Sequence, residues 1–407
     1  MFKKALSYSA IESIGSRVFD FVTLWIVLNV LPVEDVAKFG IATSAIFAFN
    51  LIMFAPETAL MKHQKQWQQQ GVLADYLGAF VSFSVFKISL HYLLAFIVYI
   101  ISGELNWFFY AVVFSAVTQQ IQAAEIARIF NRMELRQKKV AIFENASKIL
   151  LLTCVLCLYF YPSLDVYFSI YFTWSLLITT IWLANLKHVS GYVFSFSKSM
   201  LSKIYTAMMG FSLWSHLSGV MTLYIYNASL LYMGLLGADL NTVAVYTVVN
   251  KVANLFFVVP MFFQSFIPVV LANAGLDAEL KFKKILAISG SLSIGQFLFF
   301  LVLGSYIGTF FGLDPEFSEM FYLLGLTVSF GILALNVSRP LSTYLMIKRS
   351  PFIIMKWVFI PATIAATIAF PTGIYFYSSY GAAFSSALIY SLMAVLLYTQ
   401  YRFTLRM

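Results

Sequence analysis

The sequence predicts an all-α, polytopic membrane protein with about twelve transmembrane helices in two six-helix bundles. Three observations predict it: the composition, the alternating charge of the segments between apolar runs, and a repeat at half the chain length. Of 407 residues, 61% are hydrophobic and 11% charged, with a mean hydropathy of +0.85. A soluble domain carries about twice that charged fraction. The 42 Phe and 24 Tyr suit lipid-facing helices with aromatic belts at the interfaces.

A helix needs about 20 mostly apolar residues to cross a bilayer. Twelve stretches qualify, roughly 8–31, 37–58, 76–102, 106–127, 142–161, 166–186, 206–234, 241–272, 284–311, 318–338, 352–376 and 380–401. Some exceed a straight crossing and are expected to tilt or extend into the cytoplasm. Lys3 and Lys4 before the first stretch imitate a signal peptide. No A-x-A-like cleavage site follows and charges interrupt the run, so this helix is expected to be retained.

The intervening segments alternate in charge. Lys3, Lys4, Lys62, Lys65, Arg128, Arg132, Arg136, Lys138, Lys139, Lys187, Lys198, Lys203, Lys281, Lys283, Lys284, Arg339, Lys348, Arg349, Arg402 and Arg406 fall on one side. The other side holds Glu34, Asp35, Glu104, Asp165, Asp239, Asp314, Glu316 and Glu319, with Lys38 as its only basic residue. The positive-inside rule counts Lys and Arg, so both termini are expected in the cytoplasm and the helix number is even. The net charge of +9 then belongs to a membrane face, which argues against a nucleic-acid partner.

Cys154 and Cys157 form a C-x-x-C inside "KILLLTCVLCLYF" with no second pair to complete a metal site. They are expected to be two small buried residues on one helix face, and no metal or cofactor is implied. The outer segments are only about 3 to 8 residues long on this reading of the spans. They leave no room for a catalytic domain, so an enzyme is not expected.

The repeat pairs "LPVEDVAKFGIATSAIFAFNLIMFAPETAL" with "LGADLNTVAVYTVVNKVANLFFVVPMFFQSF". Each has an acidic outer turn, a helix opening Val-Ala-x-aromatic and a proline well inside, Pro56 and Pro260. The division expected is 1–200 and 201–407. Six helices per half orient the repeats alike about an axis along the membrane normal, as in many secondary transporters. The substrate path would then run between the bundles. Pro56, Pro260, Pro361 and Pro371 each remove a backbone bond within an apolar run and permit a bend.

A charge at mid-membrane costs about 2.5–3.5 kcal/mol even on a lenient scale, yet the first helix holds Glu12, Arg17 and Asp20. At helical spacing they share an arc of about 140° with Ser9, Ser13, Ser16 and Thr23. Arg17 lies about 15 Å from the cytoplasmic end of the predicted span, near the midplane. Two readings stand. Arg17 and Asp20 pair three residues apart, or Arg17 lines a hydrated cavity and meets an anion, its fork suited to phosphate oxygens. Helix eight repeats the device with Tyr246, Thr247, Asn250, Lys251 and Asn254, and no carboxylate lies within reach of Lys251 on its own helix. Lys87 with His91, at i and i+4, is a third deep cationic site, for which pairing and function stand equal. His216 is a possible fourth. Lys148, Glu144 and Lys356 lie near cytoplasmic ends and can snorkel. Glu12 and Asp20 are candidate proton or sodium sites.

With twelve helices, the 6+6 repeat and "VAVYTVVNKVANLFFVVPMFFQSFIPVVLANA", the chain resembles the polysaccharide-biosynthesis or O-antigen flippases of the multidrug/oligosaccharidyl-lipid/polysaccharide exporter superfamily. The family's second half carries an aromatic-x3-Lys segment and two later prolines. Here these match Tyr246, Lys251 (one residue longer in spacing), Pro260 and Pro268. The resemblance spans essentially the whole chain through soft patterns. It implies a fold like that of the MATE transporters and movement of an undecaprenyl-diphosphate-linked oligosaccharide across a bacterial plasma (inner) membrane. It further implies a cationic cavity to which Arg17 and Lys251 would contribute, a proton or sodium counter-ion, membrane lipids, and a polysaccharide polymerase with other assembly proteins as partners. Lipid II flippases of the superfamily carry two further helices, which argues against that branch. Lys87 and His91 match no family motif.

A multidrug exporter of the same fold is the nearest alternative. Cationic drugs favour a cavity rich in carboxylates, whereas the deep residues here are Arg17, Lys87 and Lys251 against Asp20. A polymerase or ligase acting on the same carrier would need a catalytic cluster on a long outer loop, and a channel would need a pore motif.

Overall fold

The computed structural model describes residues 2–52, 57–194, 196, 198–209, 211–257, 267 and 278–406. Among the described residues all regular structure is helical, and the chain divides into two compact units, Met1–His216 and Leu217–Met407.

The first unit contains α1 (Phe2–Val30), α2 (Val33–Ser44), α3 (Ile46–Ile52), α4 (Glu57–Gln69), α5 (Leu73–Ser102), α6 (Trp107–Met133), α7 (Gln137–Val155), α8 (Leu164–Ser190) and α9 (Lys198–Met208). The opening turns of α10 (Phe211–Leu235), up to His216, complete it. The second unit takes the rest of α10 with α11 (Leu240–Phe256), α12 (Ala278–Phe310), α13 (Ser318–Lys348), α14 (Pro351–Ile354) and α15 (Ile360–Arg406). The described parts of the twelve expected stretches are helical, but not one helix each: 37–58 is divided over α2, α3 and the start of α4, 206–234 over α9 and α10, and 352–376 runs through α14 into α15. Of 241–272, the described part is α11 with Phe257 and Ile267. Among the described residues six helical stretches are long and apolar enough to cross a membrane, which indicates a multi-pass membrane protein.

Acidic and polar side chains start several helices. Asn106 accepts from the amides of Phe108 and Phe109 at 3.1 and 3.0 Å, and Asp239 accepts from Thr242 N at 3.0 Å. Asp35 accepts from Leu164 N at 2.9 Å, and Tyr110 Oη donates to Asp165 at 2.5 Å. These residues belong to the acid-rich end of the helices, where unsatisfied amides and the positive pole of the dipole favour carboxylates.

Two helices were not anticipated, α4 and α9, both on the basic side. Trp67 of α4 stacks on Tyr76 of α5 at 3.9 Å and 3°, and Gln64 Nε2 donates to Glu134 at 3.2 Å. Gly191, at φ 65°, ends α8 in the left-handed conformation. The chain then runs under α5, and Lys203 of α9 pairs with Asp75 at 3.0 Å.

The last two expected spans are one continuous helical stretch that folds back on itself. The turn falls at Ser378, φ 49° and ψ −130°. Four and more residues either side, the arms meet: Ser385 Oγ donates to the Ala369 carbonyl at 2.8 Å. A Cβ on Gly381 would lie 1.8 Å from the Gly373 carbonyl oxygen. Tyr375, Phe376, Tyr377 and Tyr380 cluster exposed around this turn, as aromatic residues do at a membrane interface.

Several expectations change. Arg128 and Arg132 lie in the last turns of α6, and Arg339 lies inside α13. All three had been assigned to loops because the expected spans were cut to bilayer length, whereas these helices run on past it. Cys154 is half-buried and Cys157 exposed, so they are not two buried core residues. The backbone tightens to a 3-10 turn at Leu156–Tyr159 and turns Cys157 outward. Pro371 lies inside α15, and Pro361 follows a π-turn at Met355–Phe359. Pro340, not singled out from the sequence, sits inside α13. Pro56, Pro260 and Pro268 lie outside the described residues.

Candidate functional site

In the first unit, the polar face of α1 meets α6 and α7 across a cleft of about 520 Å³. Glu12, Ser16, Arg17, Asp20, Arg128, Arg132 and Glu144 line it. The three predicted charges of α1 thus share one concave surface, joined by charges that the sequence did not place there.

Their pairing differs from the intrahelical staple. Arg132 bridges Glu12 at 2.5 Å and Glu125 at 2.7 Å. Arg128 bridges Glu125 and Glu144, each at 2.9 Å, and also donates to the Ile121 carbonyl at 2.9 Å. Trp182 Nε1 donates to the second Glu144 oxygen at 2.9 Å. Asp20 binds Lys148 Nζ at 2.6 Å, and that ammonium lies 5.0 Å from the Trp174 ring. Glu144 and Lys148 therefore hold partners in the bundle instead of snorkelling. Among the described residues Arg17 has no carboxylate within 4.0 Å, so the Arg17–Asp20 pair does not form. The Glu12–Arg132 pair fixes depth, because Arg132 is next to last in α6. Arg17 stands five residues, about 7.5 Å, further along α1.

The spacing of Glu125, Arg128 and Arg132 at i, i+3 and i+7 put these three on one helix face. That was the available signal for the missed residues.

Lys87 and His91 do not line this cleft. They lie at the middle of α5, each 1% exposed. His91 Nδ1 faces the Lys87 carbonyl at 2.8 Å and Nε2 faces Ser115 Oγ at 3.0 Å. Lys87 Nζ stands 5.3 Å from the Phe83 ring. His216 Nε2 meets the Asn50 carbonyl at 2.9 Å, and Gln119 Nε2 donates to Asn50 Oδ1 at 3.2 Å. The result is a buried polar seam within the first unit.

In the second unit, Asn250 is buried and donates to the Tyr226 carbonyl at 3.1 Å, and Asn254 donates to Asn250 Oδ1 at 3.0 Å. Lys251 is half-buried on the same helix. Of the five predicted polar residues of this helix, Asn250 and Asn254 thus bond to each other, and Asn250 bonds to α10. Among the described residues no group of three His, Cys, Asp or Glu side chains is arranged to hold a metal.

No protein-family model and no curated protein sequence matches this chain. Solved structures do. The lipid II flippase MurJ, in an inward closed conformation, superposes with a TM-score of 0.70 at 16% identity, covering 98% of this chain and 87% of the flippase. The eukaryotic MATE transporter AtDTX14 gives 0.66 at 14% identity, over 98% and 95%. A mutant of the MATE transporter VcmN from Vibrio cholerae gives 0.61 at 13% identity, over 99% and 97%. The chain has the fold that these flippase and MATE transporter structures share.

Proposed function

We propose that this protein is a flippase for a polyprenyl-diphosphate-linked oligosaccharide, such as an O-antigen repeat unit, in the inner membrane of a bacterium. The observation that carries this reading is the state of Arg17. Three other cations at or beside the cleft meet carboxylates, whereas among the described residues Arg17 has none within 4.0 Å, which leaves its guanidinium available to an outside anion on this reading. A diphosphate of charge about −2 needs such a partner to enter a low-dielectric interior, and a guanidinium binds two phosphate oxygens at once. Lys251 is its counterpart on the polar face of α11 in the second half.

Movement would follow alternating access, with the prenyl tail staying in lipid. Asp20, half exposed beside Lys148, is the better placed of the two ion-coupling candidates. Glu12 is more enclosed and bound to Arg132. Glu12, Asp20 and Glu144 together also favour a second reading, a cation-coupled multidrug exporter, but each already holds a cation.

Deletion of the gene in its native host tests the choice. The flippase reading expects loss of surface polysaccharide and accumulation of the carrier-linked oligosaccharide. Restoration is expected from the wild-type chain, with at most about a tenth of that restored by Arg17→Ala or Lys251→Ala, taking each lost charge-assisted contact as at least tenfold. Normal surface glycan with raised sensitivity to cationic drugs would select the exporter.

A further inference from the structure

The second unit contains a deep cation beyond Lys251. Arg339 lies nine residues before the end of α13 at Lys348, about 13.5 Å along the axis. Pro340 follows it and leaves the Asn336 carbonyl without its helical donor. Ser289 Oγ of α12 supplies one at 3.2 Å. Asn336 Nδ2 in turn donates to the Phe256 carbonyl at the end of α11, at 3.2 Å. These two bonds hold the proline-bearing turn of α13 against α11 and α12.

There the guanidinium carbon stands 4.8 Å from the Phe257 ring centroid and 5.5 Å from that of Tyr226. The two rings stack at 4.9 Å and 22°, with Tyr390 edge-on to both. Aromatic rings take the face of a guanidinium and leave its in-plane N–H groups for an anion. Among the described residues no carboxylate lies within 4.0 Å of Arg339, and its Nη1 is buried without a hydrogen-bond partner. The sequence of this half explains why. Its six carboxylates, Asp239, Asp277, Glu279, Asp314, Glu316 and Glu319, all precede or open α11, α12 and α13. The Tyr226 carbonyl accepts from Asn250, so the platform under Arg339 continues the polar face of α11 that bears Lys251.

We propose that Arg339, held on the Phe257–Tyr226 platform, is a further anion-binding residue of the second bundle and takes the diphosphate of the lipid-linked substrate. This rests on the flippase reading. It assigns Arg339 a binding role on the basic-end side of Lys251, one to two turns along α11 at the level of Phe257.

The full-length chain in nanodiscs tests it, with undecaprenyl diphosphate and inorganic diphosphate as separate probes. Wild type is expected to bind undecaprenyl diphosphate, and Arg339→Ala to bind it about 10- to 100-fold more weakly, the size of a lost charge-assisted contact. Arg339→Lys keeps the charge without the planar fork, and Phe257→Leu removes the platform; each is expected to weaken binding several-fold. Wild-type affinity in Arg339→Ala would overturn the proposal and leave the flippase reading intact. If that variant fails to fold, wild-type affinity in both of the other variants overturns it equally. Binding of inorganic diphosphate alone, lost in Arg339→Ala, would keep an anion site at Arg339 but overturn its assignment to a lipid-linked substrate. Binding of neither probe by wild type would overturn both readings.

Discussion

At the α1–α6–α7 cleft, Arg128, Arg132 and Lys148 each meet a carboxylate, and burial ranks those pairs. Arg128 and Glu144 side chains are 13% and 7% exposed, while Asp20 opposite Lys148 is 52% exposed. Removing one partner of a buried pair costs about 3–5 kcal/mol because the other charge stays behind. An exposed pair contributes about 0–1 kcal/mol. Glu144→Ala is therefore expected to lower thermal stability in detergent strongly, and Asp20→Ala to lower it less, since Asp20 is half exposed although the Lys148 it leaves behind is 15% exposed. Arg17→Ala is expected to leave stability within about 1 kcal/mol of wild type while removing transport; equal loss of folded protein and transport would make Arg17 structural. The polar arc of α1 was legible in the sequence because helical geometry alone gathers Glu12, Arg17 and Asp20. Their partners were not, because Arg132 and Lys148 reach them from other helices, and sequence spacing reports only intrahelical neighbours.

The helices themselves were legible from length and polarity, since the bilayer sets both. What escaped were elements that follow other rules. α4 and α9 carry too many polar residues to register as spans, and Arg339 stood where a span of bilayer length would have ended. The α15 hairpin makes a sharper test of packing. Ser378→Gly relieves a positive φ that L residues rarely adopt, and is expected to hold or raise stability by up to about 1 kcal/mol. Gly381→Ala drives a methyl into the Gly373 backbone and is expected to cost about 1–3 kcal/mol or more through overpacking. The same melting experiment reads both. Ser289→Ala leaves the Asn336 carbonyl beside Pro340 unsatisfied, at an expected cost of about 1–3 kcal/mol.

Across the molecule, the basic and acidic ends of the helices set the expected orientation. Reporter fusions at either terminus should be active in the cytoplasm, and a cysteine at Ser378 should label from the opposite side; the reverse pattern would overturn the positive-inside assignment. The architecture of two compact units and the exporter fold follow from properties that the chain displays along its length, whereas the identity of the cargo depends on a few side chains. The central claim is that those side chains move a lipid-linked anion between leaflets. Its most direct test is leaflet exchange in vesicles containing the purified full-length chain and an undecaprenyl-diphosphate-linked oligosaccharide, read as the fraction of glycan reached by a membrane-impermeant lectin. The wild-type chain should bring inner-leaflet glycan to the lectin, and Arg17→Ala should not. Exchange no faster than in protein-free vesicles would contradict the claim.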